Sequence, residues 1–164
     1  RQPSLRPSRS VPQMAPRHRR FRAVTVERVI PAPAQRIFDV LADPALHPVI
    51  DGSGSLRKPQ EGAPTRLGPG AEFGMSMRIG VPYKITNTVV EFEEGRRLAW
   101  RHLGRQVWRY ELEPVDGGTL VRETFDYTDA LSPLALRILR FPSRNRQDME
   151  STLERLEAQV VQVV

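Results

Sequence analysis

The chain of 164 residues has no cysteine, three histidines, two lysines against 23 arginines, and no apolar run near the length of a bilayer. Each shortage removes a class of function. Without thiols there is no disulfide framework, thiolate zinc site or cysteine nucleophile, and nothing calls for an oxidising compartment. A membrane-spanning helix needs roughly 18 or more consecutive apolar residues, and the first residues lack the apolar core of a secretory signal. A cytoplasmic protein is therefore expected. His, Asp and Glu remain as bases or ligands, but two isolated histidines and a carboxylate show neither the helical nor the hairpin spacing of a metal site. The glycines of "EFGMSMRIG" are scattered and do not lead into a helix, so no dinucleotide loop is read there. Neither a metal, a cofactor nor a specific nucleic acid partner is expected.

The net charge is +6, and its location matters more than its size. Residues 1–20, "RQPSLRPSRSVPQMAPRHRR", hold six arginines, four prolines and no acid, whereas residues 21–164 hold 19 basic and 19 acidic side chains. The basic tail cannot bury enough apolar surface to offset its ordering entropy and is expected to be disordered. It reads as a solvated leader, or as upstream sequence not normally translated, with Met14 offering a start. The competing reading is a polyanion-binding arm in weak contact with a membrane surface. The arginine excess reflects genome composition more than phosphate recognition. With 39% hydrophobic residues, the chain is expected to form one domain, residues 21–164, with a core of its own.

"FRAVTVERVI" (21–30) alternates and is rich in β-branched residues, as a half-buried strand should be. "PAPAQRIFDVLADP" places Ile37, Phe38 and Leu41 on one stripe, between Pro33 at a first helical turn and Pro44 as a stop. "ALHPVI" adds one short turn at most, since Pro48 disfavours helix at His47. From Asp51 to Gly70, "DGSGS" and "LGPG" mark a long connection. Five segments rich in Thr, Val and aromatics follow, "AEFGMSMRIG", "YKITNTVVEFEEG", "RRLAWRHL", "RQVWRYELEP" and "TLVRETFDYT", with turn signals at hairpin spacing. They read as an antiparallel meander. After a short helix in "SPLALRILRFP", "SRNRQDMESTLERLEAQVVQVV" repeats Met149, Leu153, Leu156, Val160 and Val163 at helical spacing. That stripe covers the apolar face of the sheet; the competing reading is a short coiled coil between two copies. A monomer or homodimer is expected.

This order, strand, short helices, long connection, strands, long helix, resembles the helix-grip fold of the START and birch-pollen-allergen (SRPBCC) superfamily. "FRAVTVERVIPAPAQRIFDVLADP" is similar to the entry motif of that superfamily. "VVEFEEGRRLAWR" and "WRYELEPVDGGTLVRET" resemble its bacterial polyketide cyclase/dehydrase-like branch, and the likeness covers about residues 21–162. It implies an α+β helix-grip fold: a curved antiparallel sheet of six to seven strands around a long C-terminal helix, with two short helices after the first strand. Ligand and activity vary so widely on that fold that it names no function by itself.

Alternation selects the candidate site. Phe73, Met75, Met77 and Ile79 share one face, as do Trp100 and His102, Trp108 and Tyr110, and Glu123, Phe125 and Tyr127. Met149 and Leu153 of the closing helix complete the candidate lining of an apolar pocket with a few polar groups. His102 and Glu123 stand out, because a buried ionisable group needs a partner or a shifted protonation state. "HPVIDGSGS" gathers His47, Asp51, Ser53 and Ser55, but proximity in sequence is no catalytic triad, and no strand-to-helix elbow carries a serine. The stretch reads as a loop, with His47 and Asp51 at the pocket mouth. Three functions stay open: binding of a small hydrophobic or amphipathic ligand such as a lipid, polyketide or isoprenoid; a cyclase or aromatase using His102 or Glu123 as acid and base; and a protein-interaction module. For the tail, a polyanion arm requires salt-sensitive capture on phospholipid or DNA that disappears when residues 1–20 are deleted. Equal capture of both forms ends that reading.

Overall fold

The computed structural model describes residues 21–138 and 141–162. The basic tail and Val163 lie outside them, as does the side chain of Ile79. The elements run β1 (Ala23–Ile30), α1 (Ala34–Leu41), a 3-10 turn (Pro44–Leu46), α2 (His47–Ile50), β2 (Leu56–Pro59), β3 (Glu72–Ile79), β4 (Val81–Glu93), β5 (Arg97–His102), β6 (Val107–Val115), β7 (Gly118–Asp126), α3 (Pro133–Ile138) and α4 (Phe141–Val161). All strand pairs are antiparallel, in the order β1-β7-β6-β5-β4-β3-β2. This is the helix-grip arrangement. The first and last strands are neighbours, and the chain crosses from one edge of the sheet to the other through α1, the 3-10 turn and α2.

Two local features depart from the sequence reading. The long connection contains an edge strand, β2, whose four residues "LRKP" carry no alternating apolar signal and end on a proline, which an edge tolerates. His47 is helical despite preceding Pro48. A proline in a first turn lacks only an N–H that would have had no helical partner, so the new helix starts there.

The inner face follows the predicted alternation. On β3, β5, β6 and β7, Phe73, Met75, Leu98, Tyr110, Leu112, Val121, Glu123 and Phe125 are buried, while Arg97, Arg101, Glu111 and Arg122 take the outer face, where ion pairs such as Arg122 with Glu27 are solvated and contribute little. A bulge between Val89 and Glu91 in the 13-residue β4 lets this strand bend with the sheet. From α4, Met149, Leu153, Leu156 and Val160 are all within 1% of full burial. They enter the same core as Ile30, Ile37, Phe38 and Leu41, so the stripe is covered within the chain rather than left for a second copy. The main contacts of α4 are with β1, β7 and the three shorter helices.

The "DGSGS" segment is what fastens the connection to α4. The Gly52 N–H donates to Thr152 Oγ1 at 2.9 Å, and Arg155 Nη1 donates to the Asp51 carbonyl at 3.0 Å. Gly52 sits so close that a Cβ would lie 2.6 Å from the Thr152 nitrogen and closer still to the Asp148 carbonyl oxygen. Gly52→Ala should therefore destabilise the fold by about 1–3 kcal/mol through overpacking. Gly68→Ala, where no neighbour lies within 4 Å, should be neutral or slightly stabilising. Urea unfolding of both variants checks this, and equal midpoints would contradict it.

Candidate functional site

A cavity of about 580 Å³ lies between the inner face of the sheet, α2 and α4. Its walls include Phe73, Met75 and Met77 of β3, Trp100 and His102 of β5, Trp108 and Tyr110 of β6, Glu123 and Phe125 of β7, and Met149 of α4. Both tryptophans of the chain are therefore in its lining. Tyr127 and Leu153 are not. Tyr127 lies past the last pair of β7 and stacks on Phe125 at 5.7 Å, while Leu153, one turn beyond Met149, is buried in the core beneath. Alternation for Tyr127 and helical spacing for Leu153 placed both on the inner side; neither carries information about how far the hollow extends.

The aromatic rings of the wall form two contact sets, one around Trp100 and one around Phe125. His47 stacks on Trp100 at 5.1 Å, Phe73 meets Trp100 edge-on at 5.7 Å, and Trp100 lies 5.6 Å from Tyr110. Trp108 and Phe125 approach to 4.7 Å. Such offset and edge contacts suit the ring quadrupoles and hold the wall rigid.

His47 and Asp51 both line the cavity, but His47 is a buried wall residue in α2 rather than a loop residue. Its Nε2–H donates to the Leu41 carbonyl at 2.8 Å, and burial pushes its pKa below the usual histidine value. Asp51 organises its own turn: its carboxylate accepts from the Ser53 N–H at 3.0 Å, the Ser53 hydroxyl and the Leu56 N–H at 2.9 Å. "HPVIDGSGS" is thus an Asx-type turn after a short helix, with Ser53 bonded to Asp51 and to Ser55 and its histidine bonded elsewhere. No nucleophile, base and orienting acid come together in it.

Glu123 is the chemically distinctive residue. It is 2% exposed, its Oε1 accepts the Tyr110 hydroxyl at 2.9 Å, and its Oε2 has no partner. Desolvation pushes its pKa up to about 8, with Asp51 adding to the rise and the tyrosine bond opposing it. Near neutrality it is a neutral carboxylic acid. His102, opposite Asn87 across β4 and β5, is pushed by burial down to about 4 and is a neutral imidazole. Glu123 pairs with Tyr110 and not with His102, because the register sets Tyr110 directly opposite it on β6.

Several polar wall residues escaped the sequence reading, and two of them carry unpaired atoms. Asn87 of β4 and Asn145 of α4 are both buried, and Asn87 Oδ1 and Asn145 Nδ2 lack partners. The signal was present for both: Asn87 is in phase with Ile85 and Val89, and Asn145 is four residues before Met149 on the apolar stripe. Asp148 and Arg144 of α4 also line the cavity, and burial raises the Asp148 pKa. Among the described residues, no group of three or more His, Asp and Glu is placed to hold a metal ion, and no helix is long and apolar enough to cross a membrane.

The folded chain keeps the Glu123 proton up to about pH 8, whereas the unfolded chain releases it near 4.5. Its contribution to folding is therefore fully present below that lower value and is lost as pH rises towards the upper one. Glu123→Gln cannot ionise. It should melt at higher temperature than the wild type near pH 9 and lose that advantage near pH 5, read from melting curves across this range. Parallel pH profiles for the two proteins would contradict the assignment.

Residues 22–161 match the family described as polyketide cyclase / dehydrase and lipid transport. Among curated proteins, the chain is 34% identical over 136 residues to Uncharacterized protein Rv0088 of Mycobacterium tuberculosis, covering 79% of this chain and 60% of that one. It thus spans about three fifths of the length of the curated relatives it matches. Among solved structures, protein NE0264 from Nitrosomonas europaea matches with a TM-score of 0.69 at 18% identity, over 85% of this chain and 94% of that one. An AHSA1-like protein from Aeromonas hydrophila matches with a TM-score of 0.63 at 18% identity, over 86% and 92%. At such identities the likeness shows the fold alone.

Proposed function

The chain belongs to the polyketide cyclase / dehydrase and lipid transport family, and from that premise we propose that it binds a small, largely apolar ligand in the cavity between its sheet and α4. The observation that carries this reading is the hollow itself. Protein interiors normally close to crystal-like density, yet here about 580 Å³ remains beside Trp100, Trp108, Tyr110 and Phe125. That volume falls in the range of small-molecule sites, which are mostly apolar with a few polar groups. Affinity comes from apolar area removed from water, roughly 25 cal/mol per Å² before the costs of association. The lipid, polyketide or isoprenoid-like character of the ligand, and a cytoplasmic location for the protein, belong to the same proposal.

One observation favours a second reading, a cyclase-type enzyme. A carboxyl group with a pKa of about 8 in an enclosed site is suited to give and take a proton near neutrality, and His102 stands in the same wall. No activated nucleophile accompanies them, so such an enzyme would act by enclosing a reactive chain and moving its protons. An interaction role for the α4 stripe has no support, since its described apolar residues are buried in the chain's own core.

Ligand uptake is readable from Trp100 and Trp108 directly. A hydrophobic ligand co-purifying from the native host, detected by native mass spectrometry, should quench their fluorescence when added back to emptied protein. Met77→Phe, which enlarges a half-buried wall residue, should weaken that uptake about tenfold or more while leaving the far-ultraviolet circular dichroism unchanged. Undiminished uptake by this variant would place the ligand elsewhere.

A further inference from the structure

Among the described residues, three buried side-chain atoms lack a hydrogen-bond partner: Asn87 Oδ1, Glu123 Oε2 and Asn145 Nδ2. All three residues line the same cavity, from three different elements, β4, β7 and α4. Buried polar atoms in folded proteins nearly always find partners, because leaving them unpaired is costly. That all three belong to the walls of one hollow indicates that their partners arrive with whatever fills it.

Their chemistry constrains the visitor. Asn145 Nδ2 donates, and Asn87 Oδ1 accepts; a carbonyl oxygen cannot satisfy that acceptor, so its partner is a hydroxyl of the ligand or a water held beside it. The groups around Glu123 decide what Oε2 does. Tyr110 of β6 donates to the other oxygen, and on β1 the opposite residue is the apolar Val26. The turn after α2 brings Asp51, α4 brings Asp148 and Arg144, and β5 and α2 bring the histidines His102 and His47. No ion pair to Glu123 occurs among the described residues, and two carboxylates share its cavity. Burial with that company keeps its proton on, so Oε2 carries an O–H for donation. A carboxylate ligand would bring a further negative charge beside Asp51 and Asp148, and the exposed Arg78, Lys84 and Arg144 offer it only solvated partners.

Resting on the ligand-binding reading above, we infer that the cavity selects an uncharged ligand with carbonyl-type oxygen on an apolar skeleton, and that it hydrogen-bonds that oxygen through Glu123 O–H and Asn145 N–H. A fatty acid anion is disfavoured. A cationic amine is disfavoured too: pairing with Glu123 would require it to give up its proton in a desolvated site, the Asp51 carboxylate is taken up by its own turn, and Asp148 already feels the charge of Arg144.

The test uses the full chain and its two tryptophans, with four probes of matched length: dodecane, methyl decyl ketone, dodecanoate and dodecylamine. At about pH 7 the ketone should bind at least about tenfold more tightly than dodecane and than dodecanoate, a hydrogen bond's typical discrimination. Near pH 9.5, above the Glu123 titration, its preference over dodecane should shrink to about threefold or less. In Glu123→Gln, which donates at every pH, the preference should be independent of pH, and in Glu123→Leu it should fall at both. Should these variants not fold, the wild-type pH comparison alone decides. Dodecanoate equal to or tighter than the ketone overturns the inference, as does dodecylamine binding tightest and improving with pH. If ketone and dodecane bind alike, the cavity still binds ligands and only this inference falls. If none of the four quenches the tryptophans, both fall.

Discussion

A single helix is too narrow to cover a seven-stranded sheet. Strands lie about 4.8 Å apart, so seven of them span about 30 Å, whereas a helix with its side chains is about 10–12 Å wide. Here α4 settles against β1 and β7, where its stripe can be fully buried, and the rest of the inner face must be closed by something else. Curvature, helped by the β4 bulge, brings β3 to β6 around, and α2 with the Asp51 turn closes one side. What remains open between them is the cavity. The hollow is a consequence of the architecture, and the clamp between Gly52 and Thr152 fixes where its wall stands.

The same geometry sets the electrostatics. A cavity walled by Trp100, Trp108, Phe73 and Phe125 desolvates the ionisable groups buried deep in it, and both Glu123 and His102 respond by becoming neutral. The acid keeps its proton and the imidazole sheds one. The inner wall thus offers neutral, directional donors and acceptors among apolar rings, whereas the outer face of the sheet carries solvated ion pairs such as Arg122 with Glu27. The two faces of one sheet meet different surroundings: one faces water, the other walls the cavity.

The comparisons make visible how little sequence this fold requires. Solved structures at 18% identity superpose over most of the chain, because a helix-grip needs only the alternation of its strands and the stripe of its last helix. Function lies in the site carried on the fold rather than in the fold itself, so the polar groups of the wall are where this chain's own chemistry is found. Those groups include Glu123 with Tyr110, Asn87 and Asn145.

Most of the architecture was legible in the sequence, since burial in a strand has a period of two and burial in a helix a period near 3.6, and both are local properties. That is why the inward set from Phe73 to Phe125 and the stripe of α4 could be read from spacing alone, and why thiol chemistry could be excluded by inventory. The edge strand β2 was missed because an edge needs no apolar alternation, and helical His47 because a first-turn proline reads locally as a break. Tertiary structure alone decided the rest. A cavity is the difference between two nearly matching surfaces, which no single segment contains, so it alone separates the lining Met149 from the buried Leu153. The partner of Glu123 depends on cross-strand register, and its protonation on the whole wall around it, which makes a buried neutral acid from a residue whose sequence context shows only a glutamate in an alternating strand.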